Sequence, residues 1–116
     1  MARIAGPEIT LHLVHMGNNT SEQFYLIPRL EEWISDGLNI VCDTSWSCGF
    51  ALRWALNEAL TKTEYANRIL FASDEPWSIF ESELSKVIYA ANSNMEIINK
   101  IIWGNANRVY PVWDSK

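Results

Sequence analysis

No two basic side chains are adjacent in this 116-residue chain; its nine Lys and Arg stand singly from Arg3 to Lys116. Binding to nucleic acid draws on clustered Lys and Arg that displace counterions. A chain with a formal net charge of −5 and no basic groove repels phosphate, so no nucleic-acid partner is expected even though its aromatics could stack on bases. Long apolar runs are missing too. No stretch approaches the roughly 18 uninterrupted apolar residues of a membrane span. Met1-Ala2-Arg3-Ile4-Ala5-Gly6-Pro7 has no apolar run behind it of the kind that marks a secretory signal. The expectations are no membrane association and a cytoplasmic location. Glycine is sparse, Gly49 stands alone, and no Gly-Lys-Ser/Thr occurs, which excludes a phosphate-cradling loop. Two cysteines, Cys42 and Cys48, give no disulfide framework and are expected to be free, small, buried thiols.

What is present is ordinary globular material: 48% hydrophobic and 20% charged residues, with six Trp as the outlier. The length suits one domain spanning 1–116. Ile9, Leu11 and Leu13 alternate with Thr10 and His12, the period of a half-buried strand. Gly17-Asn18-Asn19 then reads as a tight turn. Glu22 to Ile27, rich in aromatic and branched residues, reads as a second strand, so the pair predicts a β-hairpin. A rival helix starting at Thr20 would be interrupted by Pro28. Pro28 opens a short helix carrying Leu30, Trp33 and Ile34, closed by Gly37. Leu38 to Asp43 reads as a buried strand and Thr44 to Gly49 as a hydroxyl-rich loop. Phe50 to Lys62 reads as a largely buried helix, and Ile69 to Ala72 as a short strand.

Ser73-Asp74-Glu75-Pro76 has the residue types of a helix start, with Trp77, Phe80, Leu84, Val87, Ile88 and Ala91 as its apolar stripe. A capping box at Ser93 and Glu96 opens a further helix over Met95–Trp103, ended by Gly104. Arg108 to Trp113 reads as an edge strand because Pro111 cannot donate to a ladder. The sum is an α+β domain: a mixed, mostly antiparallel sheet of about four to five strands with three to four helices packed on it.

Three kinds of chemistry can be weighed. His12, His15, Cys42 and Cys48 are acceptable zinc ligands by type. A strand, however, sends His12 and His15 to opposite faces, and the Cys spacing is too wide, so no metal and no cofactor are expected. A phosphatase-type loop needs Arg after five residues intervening from its Cys, and that position from Cys42 is Cys48. Lastly, Asp43 ends a strand beside Ser45 and Ser47, and His12 or His15 could approach it in space. Such an arrangement is recognised by geometry alone, so no catalytic residue is assigned.

The acidity is uneven. Residues 31–90 hold ten acidic against four basic side chains, more than the whole imbalance. Trp46 follows Asp43, and Trp77 follows Asp74 and Glu75. Acidic surface beside indoles suits a basic protein partner, with charge steering encounter and aromatics supplying affinity. Asp43, Trp46, Asp74, Glu75, Trp77 and Glu81 are therefore the expected partner-binding residues. Trp33, Trp54 and Trp103 are expected in the core, and Glu83 on a solvated helix face. Size, charge and aromatic content together resemble bacterial immunity and antitoxin proteins, which implies an acidic protein that neutralises a basic, nuclease-like toxin. The alternatives are a small enzyme using the Cys42–Gly49 loop with a histidine, and a dimerisation module.

Overall fold

The computed structural model describes residues 8–17, 25–47 and 49–111. Strand β1 (Leu11–Leu13) runs into a 3-10 turn over Val14–Gly17, and helix α1 spans Leu26–Ser35. Strand β2 (Ile40–Asp43) is followed by α2 (Gly49–Thr61) and the short α3 (Thr63–Ala66). Strand β3 (Ile69–Leu70) precedes α4 (Phe80–Ala90). A last helical run comprises α5 (Met95–Asn99), a π-helical turn over Lys100–Gly104, and α6 (Asn105–Val109).

The sheet corrects the expected class. Among the described residues it has three strands in the order β1-β2-β3, and both pairings are parallel. It is not mixed, antiparallel or four- to five-stranded. Leu11 lies opposite Ile40 and Leu13 opposite Cys42, while Cys42 lies opposite Ile69. Parallel neighbours need a crossover between them, and α1 and the α2–α3 pair supply these two connections. Among the described residues the expected hairpin is therefore absent. Its second strand overlaps α1, which starts at Leu26 and buries Leu26, Ile27 and Leu30; residues 22–24 lie outside the described residues. Pro28 falls within the first turn of that helix, where an amide proton has no partner to lose.

One face of the sheet carries Leu11, Leu13, Ile40, Cys42 and Ile69. Against it pack α1 through Leu26 and Leu30, α2 through Leu52, Ala55, Leu56 and Ala59, and α4 through Val87 and Ala90. The alanines let α2 approach closely. Phe50 and Trp54, expected to widen its buried side, are 71% and 53% exposed. Trp103 is also exposed, and only Trp33 of the three expected core indoles packs against the core.

Two more boundaries move. The helix expected from Trp77 starts at Phe80, and Asp74 instead begins a turn whose carbonyl accepts from the amides of Trp77 and Ser78. Gly104 does not stop the last helical run: its φ is −60°, and Ile97, Ile98, Ile101 and Asn105 continue the buried 3- and 4-residue spacing. That continuation turns Arg108 and Val109, expected in an edge strand, into helix. Residues 112–116 lie outside the described residues.

β3 lies beside this run. The Phe71 amide donates to the Ile101 carbonyl at 2.9 Å. The Asn105 side-chain amide donates to the carbonyls of Ala66 and Ile69, both at 2.7 Å. Among the described residues, no helix is long and apolar enough to cross a membrane.

Candidate active site at the carboxyl ends of the strands

Polar residues gather where the three strands end. Asp43, the last residue of β2, is 3% exposed. Its Oδ1 accepts from the backbone amides of His15 (3.1 Å) and Ser45 (3.0 Å) and from the Ser45 hydroxyl. Its Oδ2 lies 2.9 Å from Nε2 of His12. A carboxylate can only accept, so His12 donates through Nε2. Nδ1 of His12 is 2.6 Å from the Tyr110 hydroxyl, which completes a line Tyr110–His12–Asp43.

The His15 ring reads as clearly. Its Nδ1 is 3.2 Å from the Ser45 carbonyl and 2.8 Å from the Ser45 hydroxyl oxygen. A carbonyl accepts only, so Nδ1 carries the proton. In the neutral ring the basic lone pair is then on Nε2. Ser45 gives its own proton to Asp43, leaving its oxygen to accept from His15. Asp43, Ser45 and His15 form a second line, in which a carboxylate stands behind an imidazole through one hydroxyl.

The expectation that His12 and His15 diverge fails for a local reason. β1 ends at Leu13, and His15 and Met16 adopt φ values of 55° and 51°. The strand's alternation no longer applies: the His12 ring and the His15 backbone amide reach the same carboxylate, and the His15 ring stands one hydroxyl away from it.

A cavity of about 410 Å³ beside these residues is lined by His15, Trp46, Asp74 and Trp77. His15 follows β1, Trp46 follows β2, and Asp74 and Trp77 follow β3. Three of the four hold positive φ: His15 at 55°, Trp46 at 47° and Asp74 at 61°. Left-handed backbone costs a residue with a Cβ roughly 1–2 kcal/mol, and such outliers collect at functional sites. Here each of three successive loops bends this way beside one cavity. A larger open cavity of about 510 Å³ lies by Glu31, Ser35 and Lys62, far from the strand ends and beside a surface ion pair.

Lys86 holds the β2 loop from behind. Its ammonium donates to the carbonyls of Thr44 (3.3 Å) and Ser47 (3.0 Å) and pairs with the Glu83 carboxylate. Glu83 is 8% exposed, so it is not on a solvated face as expected. The hydroxyl of Ser47 donates to the Thr44 carbonyl at 2.7 Å; among the loop hydroxyls, Ser45 alone reaches Asp43 and His15.

Of the six residues expected to bind a partner, Trp46, Asp74 and Trp77 meet in the cavity. Asp43 lies beneath it, while Glu75 and Glu81 are exposed and do not line it. Tyr110 and Lys86 were not among the expected residues. Tyr110 carries no local signal, being 98 positions from His12. Lys86 had one: it sits three residues from Glu83 on a helix, the spacing of a side-chain pair.

The donor set does not suit a metal. Both Asp43 oxygens are engaged, His15 turns Nδ1 to Ser45, and among the described residues no three His, Cys, Asp or Glu side chains are grouped to hold an ion. The thiol variant of the enzyme alternative fails at Cys42. That side chain is buried on the helix-packed face, and desolvation, reinforced by the Asp43 charge, pushes its pKa up to about 12. Cys48 lies outside the described residues. A raised acid pKa keeps the proton on the native thiol while the unfolded thiol ionises. Cys42 alkylation by iodoacetamide at about pH 8 should thus be at least about 100-fold slower in the native protein than in urea. Its linked contribution to stability should be lost as pH rises from about 9 towards 12. Equal native and unfolded alkylation rates, read by mass spectrometry of the Cys42 peptide, would contradict this burial.

Helical crossovers between parallel strands, with histidines and a buried carboxylate at the strands' carboxyl ends, define an α/β protein of the enzyme-like kind. A family model described as amidohydrolase matches residues 5–112, and the chain belongs to that family. Searches of the curated proteins and of the solved structures gave no match. The family match overturns the immunity or toxin-inhibitor reading, which rested on size and charge, and favours the small-enzyme alternative.

Proposed function

We propose that this chain hydrolyses a carbon–nitrogen amide bond at the cavity formed by His15, Trp46, Asp74 and Trp77, with His15 as the general base. The observation that carries the reading is the Asp43–Ser45–His15 line beside that cavity; the family match supports the reaction class.

Nε2 of His15 takes a proton from water as the water oxygen bonds to the amide carbonyl carbon. The carbonyl π pair moves onto oxygen. When the tetrahedral adduct collapses, the C–N bond breaks, and the proton on His15 passes to the departing nitrogen. Acid and amine leave, and His15 returns to its neutral form. Positive charge appears on His15 only during the reaction. Asp43 stabilises it through Ser45, a charge-assisted arrangement stronger than a neutral one. His12 holds the other carboxylate oxygen, Tyr110 holds the His12 ring, and both act as positioning residues.

The test is a panel of amide substrates with amine release as the readout. His15→Gln should lower turnover about 100- to 10,000-fold while the circular dichroism and melting temperature stay close to those of the parent. Undiminished hydrolysis by His15→Gln, or no hydrolysis of any amide by a well-folded parent, would overturn the assignment.

A further inference from the structure

The line Tyr110–His12–Asp43 has the parts of an activated nucleophile. Oδ2 of the buried Asp43 accepts from Nε2 of His12. That contact sets the tautomer and leaves the lone pair of the neutral imidazole on Nδ1. Nδ1 is 2.6 Å from the Tyr110 hydroxyl, so the phenol donates to a basic nitrogen whose ring is backed by a carboxylate. Carboxylate, imidazole and hydroxyl in that order let a base draw the proton from an oxygen nucleophile, and the arrangement is recognised by geometry rather than by sequence position. The phenol also faces solvent: Tyr110 is 54% exposed, and the His12 ring beside it is partly exposed. Its place is fixed by the fold. The Tyr110 amide donates to the Ala106 carbonyl at 2.7 Å, which closes α6, and Asn105 ties α6 to the Ala66 and Ile69 carbonyls. This line draws on Oδ2 of Asp43, whereas the His15 line draws on Oδ1 through Ser45.

We infer that Tyr110 is a nucleophile activated by His12, and that it accepts acyl groups from activated esters. As Oη bonds to the ester carbonyl carbon, its proton passes to Nδ1 of His12 and the carbonyl π pair moves onto oxygen. The tetrahedral adduct then collapses. The bond to the leaving oxygen breaks, and that oxygen takes the proton from Nδ1. The products are a free alcohol or phenol and an acyl ester on Tyr110. Between the two proton transfers His12 is an imidazolium, which Asp43 stabilises. The reaction uses neither the His15 ring nor the cavity beside it, so it goes beyond the amide-hydrolase reading and stands or falls separately.

Benzenesulfonyl fluoride traps such a nucleophile in a lasting bond: Oη attacks sulfur, the S–F bond breaks, fluoride leaves and His12 takes the proton. Tyr25 and Tyr89, 63% and 69% exposed, serve as references for exposure alone. In the full chain near neutral pH, mass spectrometry of the peptides should show Tyr110 sulfonylated about 100-fold faster than either reference. In urea the three should react at similar rates. His12→Gln keeps an acceptor for the hydroxyl but removes the base, and should bring Tyr110 down to the reference rate. Asp43→Asn should do the same, because the ring then carries its proton on Nδ1. Circular dichroism accompanies both variants. p-Nitrophenyl acetate tests the acyl transfer itself: p-nitrophenolate release by the parent should fall at least about tenfold in Tyr110→Phe. Native Tyr110 labelled no faster than Tyr25 and Tyr89, labelling unchanged in well-folded His12→Gln, or p-nitrophenolate release undiminished in Tyr110→Phe overturns the inference. The comparison of native and urea-unfolded chain decides it even where a variant does not fold. Amide hydrolysis without selective Tyr110 labelling ends this inference and leaves the hydrolase reading standing; labelling without amide hydrolysis does the reverse.

Discussion

Replacing Asp43 with alanine should cost about 3–5 kcal/mol of folding stability, the penalty for removing one partner of a buried charged network. The carboxylate holds two backbone amides, one hydroxyl and one imidazole, and no buried side-chain N or O among the described residues lacks a partner. Alanine would leave the Ser45 and His15 amides facing an apolar gap, and unmet buried donors cost about 1–3 kcal/mol each. Against a typical total of about 5–15 kcal/mol, that leaves a small margin. Urea unfolding with intrinsic tryptophan as the probe measures it. A loss below about 1 kcal/mol would mean that water readily takes over Asp43's role. Asp43→Asn separates structure from chemistry. Its amide oxygen can still accept from Ser45 and His15, but its NH2 group confronts the donating Nε2 of His12. The ring must then move its proton to Nδ1 and donate to Tyr110. The fold should survive with a smaller loss, while turnover falls about 100-fold because no negative charge faces His15.

Lys86→Met should destabilise the protein by about 3 kcal/mol, since it strands Glu83 with little solvent and frees two loop carbonyls. The Glu83 and Lys86 side chains are 10% and 17% exposed, so the pair is buried enough for its loss to register. Lys86→Met combined with Glu83→Leu should recover most of the loss, because the uncompensated charge goes with it. Both variants should slow turnover, as the Thr44–Ser47 loop that carries Ser45 and Trp46 loses its tether. A double variant no more stable than the single one would show that the carbonyl contacts, rather than the stranded charge, carry the energy.

The pattern of these interactions explains what could be read from the amino-acid order. β2 and the α2 helix were legible because their apolar periods are long or bounded by polar residues. The direction of pairing was not. An alternating segment before a Gly-Asn-Asn turn looks the same whether its neighbour follows at once or after a helix, and here Ile40–Asp43 took the place expected for Glu22–Ile27. At the site, Asp43, Ser45 and the two histidines were recognisable as a possible set, and Trp46, Asp74 and Trp77 as a possible surface. Their meeting depends on three residues with positive φ, none of them glycine. Those conformations belong to the folded state as a whole, because each is locally unfavourable and no propensity foretells it. The error about function has a similar source. Charge and indole content describe a class of surface and do not distinguish a protein-binding face from the lining of an enzyme's cavity.

The outer side of β3 has a further consequence, for aggregation. Parallel strands at a sheet margin ordinarily offer unpaired amides and carbonyls to any extended chain nearby. Here the outward-facing Phe71 amide is taken by Ile101, and the Ile69 carbonyl by Asn105, which stands in for a neighbouring strand with one side-chain amide. An intruding strand finds those positions occupied. Edge pairing at these positions of β3 would therefore have to displace a backbone and a side-chain contact that the fold already makes.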